Sequence, residues 1–371
     1  MGTLLVAAGG GGDAITASVL APILGAAETP GIMTYSWDRL IIDPLPGPRI
    51  ASDFTGLRQL HPDVLEILPS SQTVSPAGSS LPRLAAELSA RLLLLDPTGG
   101  AVGMAAQLDA AASLFDADGL ALVDVGGDAL TRGTEAGLRS PLADLLAIAA
   151  CTLTGRPVQL LIPAPGVDGE LTEATLLTRL ADLHSHQVAI VSADDVRPVR
   201  SIFNWHPSEA SGLFAAAAYG ARGSVEVRDA GCQVHLTDNT PAVFALDAHE
   251  LAATSPAAAL WSTTTLDQAD QVISQLTGVS EISYETAKAA RLRHRRPYLP
   301  THADLVTIDR HAADAQARGA DYVTVRRLAE LVGVTSEKEF TAFRTLLADR
   351  RADRYQPPLY HVSRPSCLTQ A

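Results

Sequence analysis

Short apolar runs alternate with helical patterns through the first two-thirds of the chain, and this alternation limits the fold more than any other feature. The runs are nearly continuous in apolar residues, which is typical of parallel strands covered by helices on both faces. Alternating strands and helices build right-handed crossovers and a doubly wound sheet. We therefore predict an α/β fold with a mostly parallel sheet. The predicted strands are residues 3–8, 32–37, 91–95, 120–125, 158–162 and 188–192, and the predicted helices between them are residues 14–24, 81–88, 101–115, 142–153 and 173–183.

Two segments interrupt the alternation. Residues 38–80 are rich in Pro, Gly and Ser and show little periodicity, which predicts a long loop or a small insertion. Three shorter strand-like runs follow later, at residues 224–228, 233–236 and 243–246, with turn residues at 229–231 and 238–240 between them. Such turns join antiparallel strands, so we predict an antiparallel meander at one edge of the sheet.

The composition changes near residue 297, where Pro297 and Pro300 mark a linker. We therefore predict two domains: residues 1–296 as an α/β ligand-binding or catalytic domain, and residues 297–371 as a C-terminal helical extension with helices at 310–317, 325–331 and 339–349. The sequence pattern of residues 323–334 is similar to that of the first half of a helix-turn-helix. The continuation at 335–347 lacks the basic excess of a DNA-reading helix, so we interpret the segment as a helical cap.

The charge and the cysteines narrow the class of protein. A net charge of −13 over 371 residues argues against a duplex nucleic-acid partner. The one dense basic run, residues 291–296, is interpreted as a solvated helix end. Three cysteines (Cys151, Cys232 and Cys367) fit neither a disulfide framework nor a zinc site. With no apolar stretch of membrane-spanning length and no signal-peptide pattern, we expect a cytoplasmic protein without a membrane partner. Homo-oligomer formation is left open.

A glycine loop, residues 9–13, joins the first predicted strand to the first predicted helix. Its candidate binding residues are Gly10, Gly11, Gly12 and Asp13. A loop of this kind offers backbone N–H groups and a helix N-terminus to an anion, and glycine lets the ligand approach the main chain. The sequence lacks both the dinucleotide G-x-G-x-x-G spacing and the Walker pattern. The alternative is a tight turn in which Asp13 only caps the helix.

A second glycine turn, residues 124–128, follows the fourth predicted strand; we call it the Asp-Gly turn. In open α/β sheets, ligands bind outside the carboxyl ends of strands at a switch point in strand order. We therefore expect the glycine loop and the Asp-Gly turn to face one pocket, with Gly126 and Gly127 in contact with the ligand. Asp128 is the better candidate of the two aspartates for ligand contact and is also a candidate catalytic group for proton transfer. Asp124 is the weaker candidate because its carboxylate could satisfy nearby backbone amides.

A third candidate segment, the His206 loop (residues 204–209), places reactive side chains just before a helix of small residues. His206 could act as a general acid or base, and Glu209 could orient it or act itself. Asn204, Trp205 and Ser208 would bind substrate. The alternative is a capped helix start with Ser208 at the N-cap.

We assign no metal ligands, the cofactor stays unknown, and a hydroxyl or metal contact of Asp13 and the other aspartates is left open. His184, His186, Asp194 and Asp195 lie near one another in sequence but lack a closing cluster for zinc. Tyr284 and Glu285 could reach a site, but the start of a helix is the favoured interpretation of this segment.

Taken together, the glycine loop, the Asp-Gly turn and the segment from Trp205 to Glu209 resemble a prokaryotic domain-of-unknown-function family in which these elements recur in this order. The resemblance covers about residues 1–300. It implies one shared pocket and brings no settled activity. The Asp-x-Gly-Gly turn is also similar to the glycine turn of D-glutamate cyclase-like proteins.

The candidate residues predict a non-redox enzyme of lyase, cyclase or isomerase type. Its substrate would be a small anionic molecule bearing a carboxylate or phosphate, in a pathway such as specialised-metabolite biosynthesis. The alternative is a regulatory protein that binds a nucleotide or metabolite without catalysis.

Overall fold

The computed structural model describes residues 2–228, 231–293, 295–296 and 298–363. Part of the predicted turn at 229–231, His294 in the basic run, Pro297 in the predicted linker and Cys367 lie outside the described residues. The strands are β1 (Gly2–Ala7), β2 (Gly31–Thr34), β3 (Phe54–Thr55), β4 (Arg58–His61), β5 (Val64–Ile67), β6 (Gln72–Thr73), β7 (Arg91–Leu94), β8 (Ala117–Val123), β9 (Val158–Pro163), β10 (His186–Ile190), β11 (Gly223–Val227), β12 (Cys232–Leu236), β13 (Ala242–Asp247), β14 (Tyr322–Thr324), β15 (Tyr355–Gln356) and β16 (Leu359–His361). The helices are α1 (Gly11–Ile23), α2 (Leu81–Glu87), α3 (Gly100–Leu114), α4 (Pro141–Leu153), α5 (Glu173–Asp182), α6 (Ala193–Val196), α7 (Glu209–Ala218), α8 (Ala248–Thr254), α9 (Leu266–Thr277), α10 (Glu281–Leu292), α11 (His302–Ala317), α12 (Val325–Leu331) and α13 (Glu337–Arg350).

The main sheet has the strand order β10-β13-β9-β8-β1-β2-β7-β5-β4 in the described part of the chain. The five central strands, β9 to β7 in this order, are parallel neighbours. The strands β13 and β5 flank them in antiparallel pairing. Strand order reverses at β1, because β2 lies on one side of it and β8 on the other. The predicted mostly parallel, doubly wound α/β fold with antiparallel edge strands is confirmed.

Helices cover both faces of this sheet. Successive side chains of a strand point to opposite faces, so Leu4 and Val6 of β1 belong to one apolar cluster and Leu5 and Ala7 to another. The first cluster contains the buried faces of α3, α4, α8 and α9. The second contains those of α1, α2 and α7. This two-sided cover explains why the central strands are apolar at nearly every position.

Residues 38–80 contain more structure than the predicted loop or insertion. The hairpin β4–β5 extends the main sheet at the edge beside β7, and β3 pairs with β6 in a separate small sheet. The strand β4 is polar and mostly exposed, with the sequence RQLH, so it lacks the apolar run that marks a buried strand.

The three strands predicted as one meander divide between two sheets. Strand β13 lies in the main sheet between β9 and β10. Strands β11 and β12 form a hairpin in a second sheet of order β12-β11-β14-β16-β15. The predicted hairpin between the first two strands is therefore confirmed, but the predicted meander is wrong, because β13 pairs with β9 and β10 instead of β12. On its other side β11 pairs with β14, about 100 residues later in the chain, and a local sequence pattern does not identify that partner.

The C-terminal segment is helical at α11, α12 and α13, as predicted, and it also supplies β14, β15 and β16 to the second sheet. A third apolar cluster lies among these elements, with Phe340, Phe343 and Tyr360 buried in it. The domain boundary at residues 296/297 stays a prediction. Among the described residues, every helix is too short or too polar to cross a bilayer.

Candidate functional site

A cavity of about 440 Å³ opens at the carboxyl ends of four neighbouring strands. The loops that follow β1, β2, β8 and β9 line it, and residues of α10 and α12 close its other side. The cavity therefore lies where the strand order reverses, which is the usual ligand position in open α/β sheets. Both the glycine loop and the Asp-Gly turn contribute lining residues, so the structure places the two predicted segments on one cavity.

The glycine loop lines the cavity along its whole length. Helix α1 begins at Gly11 with Gly10 at the N-cap, so Asp13 lies in the first turn rather than at the N-cap. Its Oδ2 accepts a hydrogen bond from the Gly9 N–H at 2.9 Å. A Cβ added at Gly10 would overlap the carbonyl oxygen of Trp37, and one added at Gly12 would overlap the Ser208 side chain. The glycines therefore permit close packing of three segments around the cavity as well as access to the main chain.

In the Asp-Gly turn, the glycines shape the backbone and the aspartates face the cavity. Gly126 and Gly127 have φ values of +114° and +92°, a conformation that favours glycine, and they do not line the cavity. Asp128 begins a short 3₁₀ helix and lines the cavity together with Asp124. Asp124 Oδ2 accepts a hydrogen bond from the Ala129 N–H at 3.0 Å, as the sequence alternative anticipated.

His206 is buried at the cavity wall with both ring nitrogens occupied. Its Nδ1 accepts from the Ser208 N–H at 3.2 Å, so Nε2 carries the proton and donates to Ser80 Oγ at 3.2 Å. The Ser80 hydroxyl in turn donates to Asp38 at 2.6 Å. Burial lowers the pKa of His206 to about 3, assisted by the positive charges of Arg344 and Arg83. This arrangement favours a neutral, positioning imidazole, and its predicted acid–base role stays a prediction.

Glu209 begins α7 and is buried with several donors around it. Its carboxylate accepts from the Thr324 hydroxyl and the Arg228 N–H, and it pairs with Arg326 at 3.1 Å. Burial opposes ionisation, but Arg326, Thr324 and Arg228 together hold the pKa of Glu209 below its ordinary value. The residue is an ionised link between α7, β11 and α12 at the edge of the cavity.

The other predicted residues of the His206 loop differ in whether they line the cavity. Ser208 lines the cavity and occupies the N-cap position of α7 without a side-chain cap bond. Asn204 is exposed and does not line the cavity. Trp205 lies outside the lining as well, because its ring is stacked under Arg83 and its Nε1 donates to Glu87.

Residues outside the glycine loop, the Asp-Gly turn and the His206 loop also line the cavity. Tyr284 and Glu285 do reach the lining, and Glu281 in the same segment begins α10, so both sequence alternatives hold. Arg291 and Arg295, from the run interpreted as a solvated helix end, are exposed and line the cavity. The additional charged lining residues are Asp38, Arg39, Arg139, Asp144, Asp168, Glu170, Arg228, Glu281, Lys288, Arg326 and Glu330.

Some of the acidic side chains have strong partners. Glu170 pairs with Arg228 at 3.0 Å and accepts from the Arg139 N–H at 2.7 Å, and these donors lower its pKa against the effect of burial. Glu285 Oε2 accepts from Trp37 Nε1 at 2.9 Å and from a backbone N–H at 2.8 Å. Carboxylates of this kind are fixed parts of the framework.

A second group of carboxyls lies close together at the floor of the cavity. One carboxylate oxygen each from Asp13, Asp124 and Asp144 lies within 4.8 Å of the other two. Burial raises the pKa of Asp13 to about 7, with Asp168 adding to the effect. Burial and then neighbouring carboxylates raise the pKa of Asp124, Asp128 and Asp144 well above the ordinary value. Acidic groups therefore crowd together in one buried part of the lining, and Arg39, Arg291 and Arg295 are exposed basic side chains of the same cavity.

The fold and the site define a class: a doubly wound α/β protein with a carboxylate-lined cavity at its switch point. The chain belongs to the family described as protein of unknown function (DUF1152), whose model matches residues 4–289. The resemblance to a domain-of-unknown-function family is thereby confirmed, and α11 to α13 lie beyond the matched range. Neither curated proteins nor solved structures gave a match. Similarity to D-glutamate cyclase-like proteins stays a prediction.

Proposed function

We propose that the protein is a non-redox enzyme of lyase, cyclase or isomerase type acting on a small molecule that carries a carboxylate or phosphate. The observation that carries the proposal is that one cavity is lined both by closely grouped acidic side chains and by the exposed arginines Arg39, Arg291 and Arg295. The basic groups and the N-terminus of α1 suit the anionic group of a substrate. A floor carboxyl suits proton transfer, and Asp128 is our candidate for it.

The proposal also covers the cellular compartment and the kind of pathway. We expect the protein to act in the cytoplasm, because its described cysteines, Cys151 and Cys232, are free thiols. A biosynthetic role, such as in specialised metabolism, agrees with the proposed reaction types. The protein would act on its small-molecule substrate without a nucleic-acid or membrane partner.

A regulatory, non-catalytic protein is the second candidate, and one observation favours it. Helix α12 and the turn after it belong to the C-terminal segment, yet Arg326, Glu330, Val334 and Thr335 line the cavity. A ligand in the cavity would touch these residues directly. Its binding would then be coupled to the position of the C-terminal elements.

A thermal-shift screen tests for the anionic ligand. The probes are inorganic phosphate, pyrophosphate, ATP, ribose 5-phosphate and citrate, and a compound at 100 times its Kd raises Tm by about 3 °C for a chain of this size. The double variant Arg291→Ala, Arg295→Ala should reduce the shift. The matched control Arg132→Ala, Arg350→Ala removes the same charge from exposed positions outside the cavity lining and should keep it.

A turnover assay then separates catalysis from sensing. Each compound that binds is incubated with the protein, and its conversion is followed by NMR. Asp128→Asn should lower the conversion rate by about 100-fold or more and keep the Tm shift. Binding without conversion would favour the regulatory function, and the absence of any Tm shift would contradict both candidates.

A further inference from the structure

We propose that Asp13, Asp124 and Asp144 bind a divalent cation of the Mg²⁺ or Mn²⁺ class at the floor of the cavity. One carboxylate oxygen from each residue lies within 4.8 Å of the other two. Asp13 comes from the first turn of α1, Asp124 follows β8, and Asp144 comes from the first turn of α4. The fold therefore brings the three side chains together from separate elements, and each of them lines the cavity.

An independent observation on α10 points to the same ligand. Glu281 is 7% exposed, lines the cavity, and has an Oε2 atom that finds no hydrogen-bond donor among the described residues. A buried carboxylate oxygen without a donor costs free energy unless a cation or a bound water satisfies it. The charges near Glu281 are mainly those of Glu285 and then Glu170, with Arg39 as an opposing charge, and the Ala143 N–H also serves the carboxyl. We assign to Glu281 a hydrogen bond from water on the cation.

The arginines Arg228 and Arg326 already pair with other carboxylates of the cavity. Arg228 pairs with Glu170, and Arg326 pairs with Glu209. After burial, the groups that act most on the carboxyl of Asp144 are Asp124, Asp13 and Glu281, all of them acids. A bound divalent cation would convert this mutual repulsion into attraction.

The ligand atoms indicate which cation binds. All three are carboxylate oxygens, which suit hard cations such as Mg²⁺ and Mn²⁺ and not the nitrogen and sulfur preference of zinc. His206 is not an available ligand, because Ser80 and Ser208 occupy its nitrogens. The remaining cation positions would hold water or the anionic group of the substrate. This link to the substrate rests on the proposed function, whereas binding of the cation alone does not.

Calorimetry on the full chain with MgCl₂, and EPR with MnCl₂, tests the site without any substrate. After treatment with a chelator, the protein should bind one equivalent saturably, and Asp144→Asn should weaken the affinity about tenfold or more. Asp38→Asn is the matched control, because Asp38 lines the same cavity but already accepts from the Ser80 N–H and hydroxyl. The control should keep the affinity within about twofold.

Thermal unfolding gives a second readout with a distinctive sign. In chelator, Asp144→Asn should raise Tm, because asparagine avoids the free-energy cost of burying a third acidic group beside two others, whether as repulsion or as proton uptake on folding. Mg²⁺ should raise the Tm of the original protein and have little effect on the variant. A carboxylate with only a structural role would instead lower Tm when replaced, with or without the cation.

A matched pair on α10 tests Glu281. Glu281 and Glu285 lie one helical turn apart and line the same cavity, but Glu285 already has two donors. Glu281→Gln should weaken Mn²⁺ binding several-fold, and Glu285→Gln should leave it unchanged. Equal effects of the two changes would contradict the role of Glu281.

The outcomes separate this inference from the proposed function. The absence of saturable Mg²⁺ and Mn²⁺ binding by the folded chain at millimolar concentrations would overturn the cation site. Phosphate or pyrophosphate binding that is equally tight in chelator would overturn the link between cation and substrate. Mn²⁺ binding without a Tm shift from any anion would support the cation site and contradict the proposed function.

Discussion

At the scale of residues, the cavity separates two kinds of buried carboxyl. Glu170 and Glu209 have arginine partners and lowered pKa values, so they are parts of the framework. Asp13, Asp124 and Asp144 lie close to one another, and their pKa values are raised. Carboxyls whose pKa values are raised by burial and by one another are candidates for a functional site. This distinction depends on which arginine side chains the fold places beside each carboxyl, and a sequence motif does not specify those contacts.

His206 allows a test of its assignment as a neutral, positioning residue. Burial first, and then Arg344 and Arg83, lower its pKa to about 3, against 6.5 for an ordinary histidine. The stability that the neutral ring contributes is present above pH 6.5 and is lost as the pH falls toward 3, because only the unfolded chain then binds the proton. Between pH 6.5 and pH 5, this loss amounts to about 2 kcal/mol.

The measurement is urea unfolding of the original protein and of His206→Gln at pH 7.5 and pH 5. The free energy of unfolding of the original protein, minus that of His206→Gln, should be about 2 kcal/mol smaller at pH 5 than at pH 7.5, since glutamine does not titrate. The carboxyls titrate in both proteins, so the difference isolates the histidine. A difference that stays constant with pH would show that the folded protein accepts the proton on His206, as a general base would.

Part of the site could be predicted from the sequence, and the individual residues show why the rest could not. Asp13 and Asp128 could be predicted because each follows glycines at the end of an apolar strand, and strand ends meet at one edge of the sheet. Asp144 left a weaker signal, a single acid in a helix that is apolar almost throughout. Arg228 and Arg326 could not be predicted, because their contacts with Glu170 and Glu209 join distant parts of the chain.

At the scale of elements, the central strands and helices lie close to their predicted bounds. Strand β7 was expected at residues 91–95 and spans Arg91–Leu94, and α4 was expected at 142–153 and spans Pro141–Leu153. Local periodicity is sufficient where both faces of a strand are covered. It was insufficient for the polar strand β4 and for β11, whose partner β14 is distant in sequence.

The start of α1 shows why its glycines are needed, and it carries a prediction. A Cβ at Gly10 would overlap the backbone carbonyl of Trp37, and backbone atoms cannot move aside cheaply. Gly10→Ala should therefore lower the free energy of unfolding by about 1–3 kcal/mol, the usual cost of overpacking. Chemical denaturation monitored by circular dichroism measures the change.

Gly103 in α3 provides the control, because a Cβ added there meets no atom within 4 Å. Gly103→Ala should raise the free energy of unfolding by up to about 1 kcal/mol, since alanine is the better helix former. Equal stability of the original protein and Gly10→Ala would show that the loop can move away from Trp37, leaving ligand access as the main reason for the glycine.

At the scale of the whole molecule, the C-terminal segment is joined to the α/β domain through a shared sheet and a buried ion pair. Strand β14 pairs with both β11 and β16. Thr324 at the end of β14 and Arg326 in the first turn of α12 satisfy the buried carboxylate of Glu209 beside the cavity. Removing one partner of a buried ion pair typically costs about 3–5 kcal/mol, because the remaining charge has no compensation.

A chain that ends at Arg296 tests how far the two predicted domains depend on each other. It would lose β14 and β16 from the second sheet and leave Glu209 without Arg326. We expect it to unfold at a Tm lower by at least about 4 °C than the full chain, on the ion pair alone. The full chain should unfold in one calorimetric transition, because the shared sheet cannot separate without breaking β11–β14 pairing. Two transitions in the full chain, with the truncated protein retaining the Tm of one of them, would instead show that residues 1–296 fold independently and that the cavity does not require α12.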